Sequence, residues 1–290
     1  MAILHCKHRT ESQRKTQNGT QGFTLIELVL VIIILGIMAV GISSFITLST
    51  QTYVNSTNRD ELIGNARFVI ERLNRELRDA VPNSIRVISL GPSFDCVQFT
   101  PIVASGVYLD IPVAPEPASK VFSVIPFNDN EGNPYQCNAG CSDLVTIYPL
   151  NHEDIYDDAT TDSGKIFSIE SVDASVDPWQ INISNDEDIV FSEDSPTQRF
   201  YITNEQVSYC AFSEFIIRFN GNISDGATSI PGRIRHHMAG YLVSDYGGRP
   251  PFTYLAPTLR RNAVVQLHLQ FTNEGENYVF DHDVHLRNVP

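Results

Sequence analysis

The 290 residues contain no Gly-x-Ser-x-Gly elbow, no phosphate-cradling P-loop and no His-Glu-x-x-His pair. The common hydrolase, nucleotide-binding and zinc-protease signatures are therefore missing, and without a visible pairing of nucleophile and base the chain is expected not to be an enzyme. Basic charge is also scarce, with 20 Lys and Arg against 34 Asp and Glu and a formal net charge of −14. So acidic a chain repels nucleic acid and anionic lipid headgroups, which argues against nucleic acid as a partner. The third absence is local. From Leu28 to Asn58 no residue carries a charge, and Leu28 to Val40 is almost wholly aliphatic.

Immediately before this run stands Gly22-Phe23-Thr24-Leu25-Ile26-Glu27, which places one carboxylate in a segment otherwise fit for a membrane. A carboxylate within the bilayer costs about 3 kcal/mol on insertion scales, so it calls for a partner. An amine would serve. If the chain were cut between Gly22 and Phe23, the new α-amino group of one subunit would meet Glu27 of a neighbour as helices stack side by side. The polar leader Met1 to Gly22 carries Lys7, Arg9, Arg14 and Lys15 against Glu11 alone. By the positive-inside rule it stays in the cytoplasm, and the chain beyond the apolar run is translocated. A plain secretory signal, with Ala39-Val40-Gly41 as its cleavage site, puts no carboxylate beside its apolar core. A simple single-span anchor explains the hydrophobicity but not Glu27.

The leader accounts for a charge of +3, which leaves −17 on the remainder, and five Arg balance five acidic residues between Arg59 and Asp79. Nearly all of the excess acid therefore falls after residue 80, as expected of a soluble head. Between the two, Leu62, Ala66, Val69, Ile70, Leu73, Leu77 and Ala80 recur at helical spacing. The pairs Arg67/Glu71, Glu71/Arg75, Arg72/Glu76 and Arg75/Asp79 are each four apart and read as a solvated helix face. Pro82 should end the helix at or just before Val81. The expected organisation is a leader over 1–22, a membrane or filament-core helix over 23–46, an amphipathic helix over 47–81 and a β-rich head over 82–290.

After Pro82, short β-type runs alternate with turn residues. They fall at 85–90, 96–99, 144–148, 165–169, 188–191, 199–202, 206–210, 215–219 and 263–271. One helix followed by many such runs predicts an α+β fold with a mainly antiparallel sheet, built as one large core or two small sheets. Segments 129–134 and 157–162 read as exposed loops, and 247–251 as a rigid turn. Cys6 lies in the leader, leaving Cys96, Cys137, Cys141 and Cys210 in an oxidising compartment. Two disulfides are expected, and of three possible pairings Cys137 with Cys141 and Cys96 with Cys210 is preferred. The x3 spacing of Cys137 and Cys141 with no nearby His is a poor zinc pattern. No metal is expected, although the loop carboxylates Asp157, Asp158 and Asp162 are weak calcium candidates without EF-hand spacing. His236, His237, His282 and His285 read as surface histidines.

The stretch Gly22 to Glu27 with its apolar tail resembles the class III signal of type IV prepilins and pseudopilins. That resemblance implies cleavage after Gly22 by a prepilin peptidase and N-methylation of Phe23, with Glu27 forming an assembly ion pair. Ser44 stands where many pilins carry a kinking Pro, which implies a straighter first half. Residues 67–84, 96–102, 207–210 and 282–290 resemble MshO-type minor pilins of the mannose-sensitive haemagglutinin pilus, and more distantly PilW and the J-type pseudopilins of type II secretion. The implied protein is a single-pass inner-membrane subunit of a Gram-negative bacterium with a periplasmic head and no cofactor. Its implied partners are the prepilin peptidase, other minor pilins, the major pilin and the assembly platform, with which it would initiate and tip a pilus. The alternatives are a J-type pseudopilin and a tip adhesin on a pilin stalk.

Overall fold

The computed structural model describes residues 22–91, 94–138, 140–156, 159–223, 234–243, 248–258 and 261–286. The chain divides into two compact units, 1–56 and 57–290. One helix, α1 (Leu25–Arg78), begins in the first and ends in the second.

In the first unit every described side chain except that of Val29 is exposed. The segment has the length and mean hydropathy to cross a membrane and buries none of its apolar window against the protein. Three of its hydroxyls are satisfied internally: those of Thr47, Thr50 and Thr52 donate to the carbonyls of Ser43, Ile46 and Leu48 at 2.8–3.0 Å. Such bonds let a hydroxyl sit in an apolar medium without an unmet donor.

The second unit is organised around the other half of α1. Leu62, Ala66, Val69, Leu73 and Leu77 are buried, the stripe that the spacing predicts. The helix stops at Arg78, slightly before the expected Ala80, because sheet-type pairing captures the next residues. Val81 donates its N–H to Thr100 and Ile102 donates to Asp79, both at 2.9 Å, and Ala80 bridges Pro101. Pro82 also disfavours helical backbone at Val81.

In chain order the strands are β1 (Arg86–Ser89), β2 (Phe94–Phe99), β3 (Ala104–Asp110), β4 (Val121–Val124), β5 (Leu144–Ile147), β6 (Ser163–Gly164), β7 (Ile166–Asp173) and β8 (Trp179–Ile183). They continue as β9 (Val190–Phe191), β10 (Arg199–Thr203), β11 (Gln206–Phe212), β12 (Phe215–Gly221), β13 (Ile234–Ala239), β14 (Phe252–Leu255), β15 (Val264–Asn273) and β16 (Glu276–His285). A five-stranded sheet runs β1-β2-β11-β12-β13 and a three-stranded sheet runs β14-β15-β16. Both line the helix. Val97, Phe99, Val207, Tyr209 and Ile216 from the first sheet and Val265, Leu267, Leu269 and Phe271 from the second share one core with the α1 stripe. The fold is thus α+β, with a long N-terminal helix and mainly antiparallel sheet.

A closed six-stranded barrel, β10-β3-β4-β8-β7-β5, forms a second core. All of its strands lie in the sequence between β2 and β11, which are neighbours in the five-stranded sheet. The barrel is an insertion between two paired strands. Aromatic rings fill it: Phe167 meets Phe191 at 4.9 Å and Phe127 meets Phe200 at 5.0 Å between centroids. Gly106 of β3 makes room for one of them, since a Cβ there would lie 2.7 Å from Phe200 Cζ. A third, smaller cluster of Val81, Ile155, Tyr156, Ile166 and Tyr201 sits near the end of the helix. Beside it the buried Arg86 guanidinium lies 3.9 Å from the centre of the Tyr156 ring, and desolvation lowers its pKa from the usual value.

Candidate functional site: the N-terminal signal and its helix

The helix begins where the sequence places Thr24. Its Oγ1 accepts the N–H of Glu27 at 3.3 Å, and its carbonyl accepts that of Leu28 at 3.2 Å. Thr24-Leu25-Ile26-Glu27 is therefore an N-cap with an acidic residue three positions on, the order of a capping box. The negative side chain also complements the partial positive charge of the helix start. This local role for Glu27 escaped the reading of the apolar run, although the Thr-x-x-Glu pattern signals it.

Gly22 and Phe23 are exposed and precede the helix without regular secondary structure, so the peptide bond between them lies outside the helix's hydrogen-bonding ladder. Phe23 is exposed, as are Leu25 and Ile26. The leader before Gln21 and Gln21 itself lie outside the described residues. A continuous uncharged apolar surface of this extent needs cover by lipid or by other helices.

On the second half of α1 the charged face is only partly solvated. Arg72 Nε donates to Glu76 Oε1 at 2.9 Å, while Arg218 Nε from β12 donates to the other carboxylate oxygen at 3.0 Å. The side chains of Glu76 and Arg218 are 20% and 10% exposed, so Glu76 belongs to the interface between helix and sheet. Arg218 also lies 3.8 Å from Glu205, which accepts a bond from Asn220 at 2.8 Å. The bond to Glu76 raises the Arg72 pKa, and burial, followed by the Glu76 charge, pushes the Tyr209 phenol up. This corrects the reading of a wholly solvated face. No local pattern separates Glu76 from Glu71, because the deciding Arg218 lies 142 residues away.

Two disulfides join Cys96 to Cys210 and Cys137 to Cys141. The first links registered neighbours on β2 and β11, and both residues are fully buried. The calcium candidates Asp157 and Asp158 lie outside the described residues. Asp162 is exposed and accepts a bond from Asn185 at 3.3 Å. Among the described residues no three His, Cys, Asp or Glu side chains converge as a metal set. The histidines are dispersed, with His236 and His237 on β13 and His282 and His285 on β16.

The family described as the prokaryotic N-terminal methylation motif matches residues 17–43. No curated protein and no solved structure matches the chain. The match takes in the Gly22–Phe23 junction, Glu27 and the first turns of α1. It identifies a type IV pilin-like signal of the kind processed by prepilin peptidase, joined to a helix suited to membrane anchoring.

Proposed function

We propose that the chain is a minor pilin of a type IV pilus, of the mannose-sensitive haemagglutinin type, that joins other minor pilins in an initiating complex at the filament tip. Prepilin peptidase cuts after Gly22 and methylates the amino group of Phe23. The anchor holds the subunit in the inner membrane with its head in the periplasm until the assembly platform extracts it and major pilins add beneath. The role is structural and needs neither catalysis nor a cofactor. One observation carries it: an uncharged, exposed helical surface that holds a single carboxylate at its capped start. In an assembled bundle Glu27 would neutralise a neighbouring amino terminus, and such a pair is strong where water is excluded.

The test is Glu27→Gln, which keeps a capping side chain but removes the charge. The leader should still be cut and the head should still fold, while co-purification with partner pilins and the number of surface pili should fall. Normal piliation would overturn the assignment. Intact mass should also place the mature N-terminus at N-methyl-Phe23, and a mass that retains residues 1–22 would contradict the processing step. The inserted barrel favours a second reading, a tip adhesin, because neither the helix nor the sheets packed on it need the barrel for their own core. A strain that makes normal pili but loses surface attachment when the barrel is removed would support that reading.

A further inference from the structure

Among the described residues the two sheets end on four edge strands, β1, β13, β14 and β16, of which β13 and β16 are the pair with complementary side chains. β16 ends the three-stranded sheet and β13 ends the five-stranded sheet, and each has backbone partners on one side alone. Ten residues is long for a bare edge, and bare edges are templates for further strands.

The two edges carry opposite charge on the same face. In β16, His282 and Phe280 register with the core residues Leu267 and Leu269, so the alternating Asp281 and Asp283 point away from α1. Both are exposed. In β13, His236 registers with Arg218, whose side chain reaches Glu76 on α1, so the flanking Arg235 and His237 point away from the helix. These two are also exposed, and the His237 ring meets Phe215 at 4.9 Å between centroids. Each edge thus presents two like residues two positions apart, acidic on one and basic or protonatable on the other. Asp281 is held by His268 at 2.7 Å and Arg249 at 3.4 Å, and Asp283 accepts Gln266 at 3.2 Å. A carboxylate has about four lone-pair sites, so each keeps room for another donor.

We propose that β13 of one copy adds to β16 of a second copy of this chain, continuing the sheet and setting Arg235 and His237 against Asp281 and Asp283. The chain itself supplies both complementary edges, which is why the partner is a second copy. Cross-strand pairs of opposite charge favour this register and oppose pairing of β16 with itself. Repulsion between the acidic heads is screened beyond about 8 Å at physiological salt, which leaves the local pairs to decide. Because the joined edges differ, the contact is heterologous and every added copy leaves one edge of each kind open. This inference goes beyond the proposed function and does not rest on it.

The experiment uses two differently tagged full-length copies co-purified in detergent. Native copies should recover each other, and Asp283→Arg alone or Arg235→Asp alone should lower that recovery roughly tenfold. Mixing Asp283→Arg copies with Arg235→Asp copies should restore it, since the altered β16 then meets the altered β13. Circular dichroism should show both variants folded like the native chain. Recovery unchanged by either reversal, a mixed pair no better than each variant alone, or native copies that recover only other proteins would each overturn the proposal.

Discussion

Glu76 accepts Arg72 from its own helix and Arg218 from β12, and its side chain is four-fifths covered. Removing one partner leaves charge in a partly dry interface, so Arg218→Met should destabilise the head by roughly 3 kcal/mol. Arg67→Met, on the exposed side of the same helix, should change stability by less than about 0.5 kcal/mol. Denaturant midpoints of the full chain in detergent would read both. Gly106→Ala tests steric fit in the barrel. Its new methyl would press on Phe200 and Phe127, and a loss of about 1–3 kcal/mol is expected for such overpacking. Asp281 gives a pH prediction. The bond from His268 holds its carboxyl below the usual aspartate range. A lowered folded pKa contributes stability above the unfolded value and loses it as pH falls through the folded one. The side chain is exposed, so the effect belongs in a carboxyl NMR titration: a midpoint below that of an unstructured peptide, moving up in His268→Ala.

Two scales of information are combined in α1. Its start is set by four consecutive residues, and Thr24→Ala should weaken that start by about 1 kcal/mol, seen as faster amide exchange over the first turn. Its buried stripe is set by periodicity, and for that reason the helix, like the alternating β11, β12 and β15, was legible in the sequence. The barrel was legible only in part. Its β5, β7 and β10 fall on the runs at 144–148, 165–169 and 199–202, whereas β3, β4 and β8 were missed: β4 has four residues, β3 contains Gly106 and a shift in register near Tyr108, and β8 is held between β4 and β7. Such strands owe their state to partners that no local window contains. Most of β16 went unread for another reason, since its exposed face alternates Asn277, Val279, Asp281, Asp283 and His285 and dilutes the apolar signal. The N-terminal signal was readable because its parts adjoin one another, whereas the Glu76–Arg218 contact exists only after folding.

For the whole molecule, the Cys96–Cys210 bridge matters most, because it spans 114 residues and joins the strands on either side of the barrel. In the chain-entropy account a loop of that size contributes about 5 kcal/mol, against about 2 kcal/mol for the short Cys137–Cys141 loop. Cys96→Ala/Cys210→Ala should therefore lower the unfolding midpoint far more than Cys137→Ala/Cys141→Ala, and equal effects would contradict this account. The same arrangement fixes where the chain leaves the sheet and where it returns. Phe99 and Val207 are registered partners, so the excursion that builds the barrel begins and ends at one doorway. A foreign domain whose two ends lie a strand's spacing apart, joined between Phe99 and Gln206, should therefore leave every pairing of the five-stranded sheet in place, and so should a short turn that carries nothing at all.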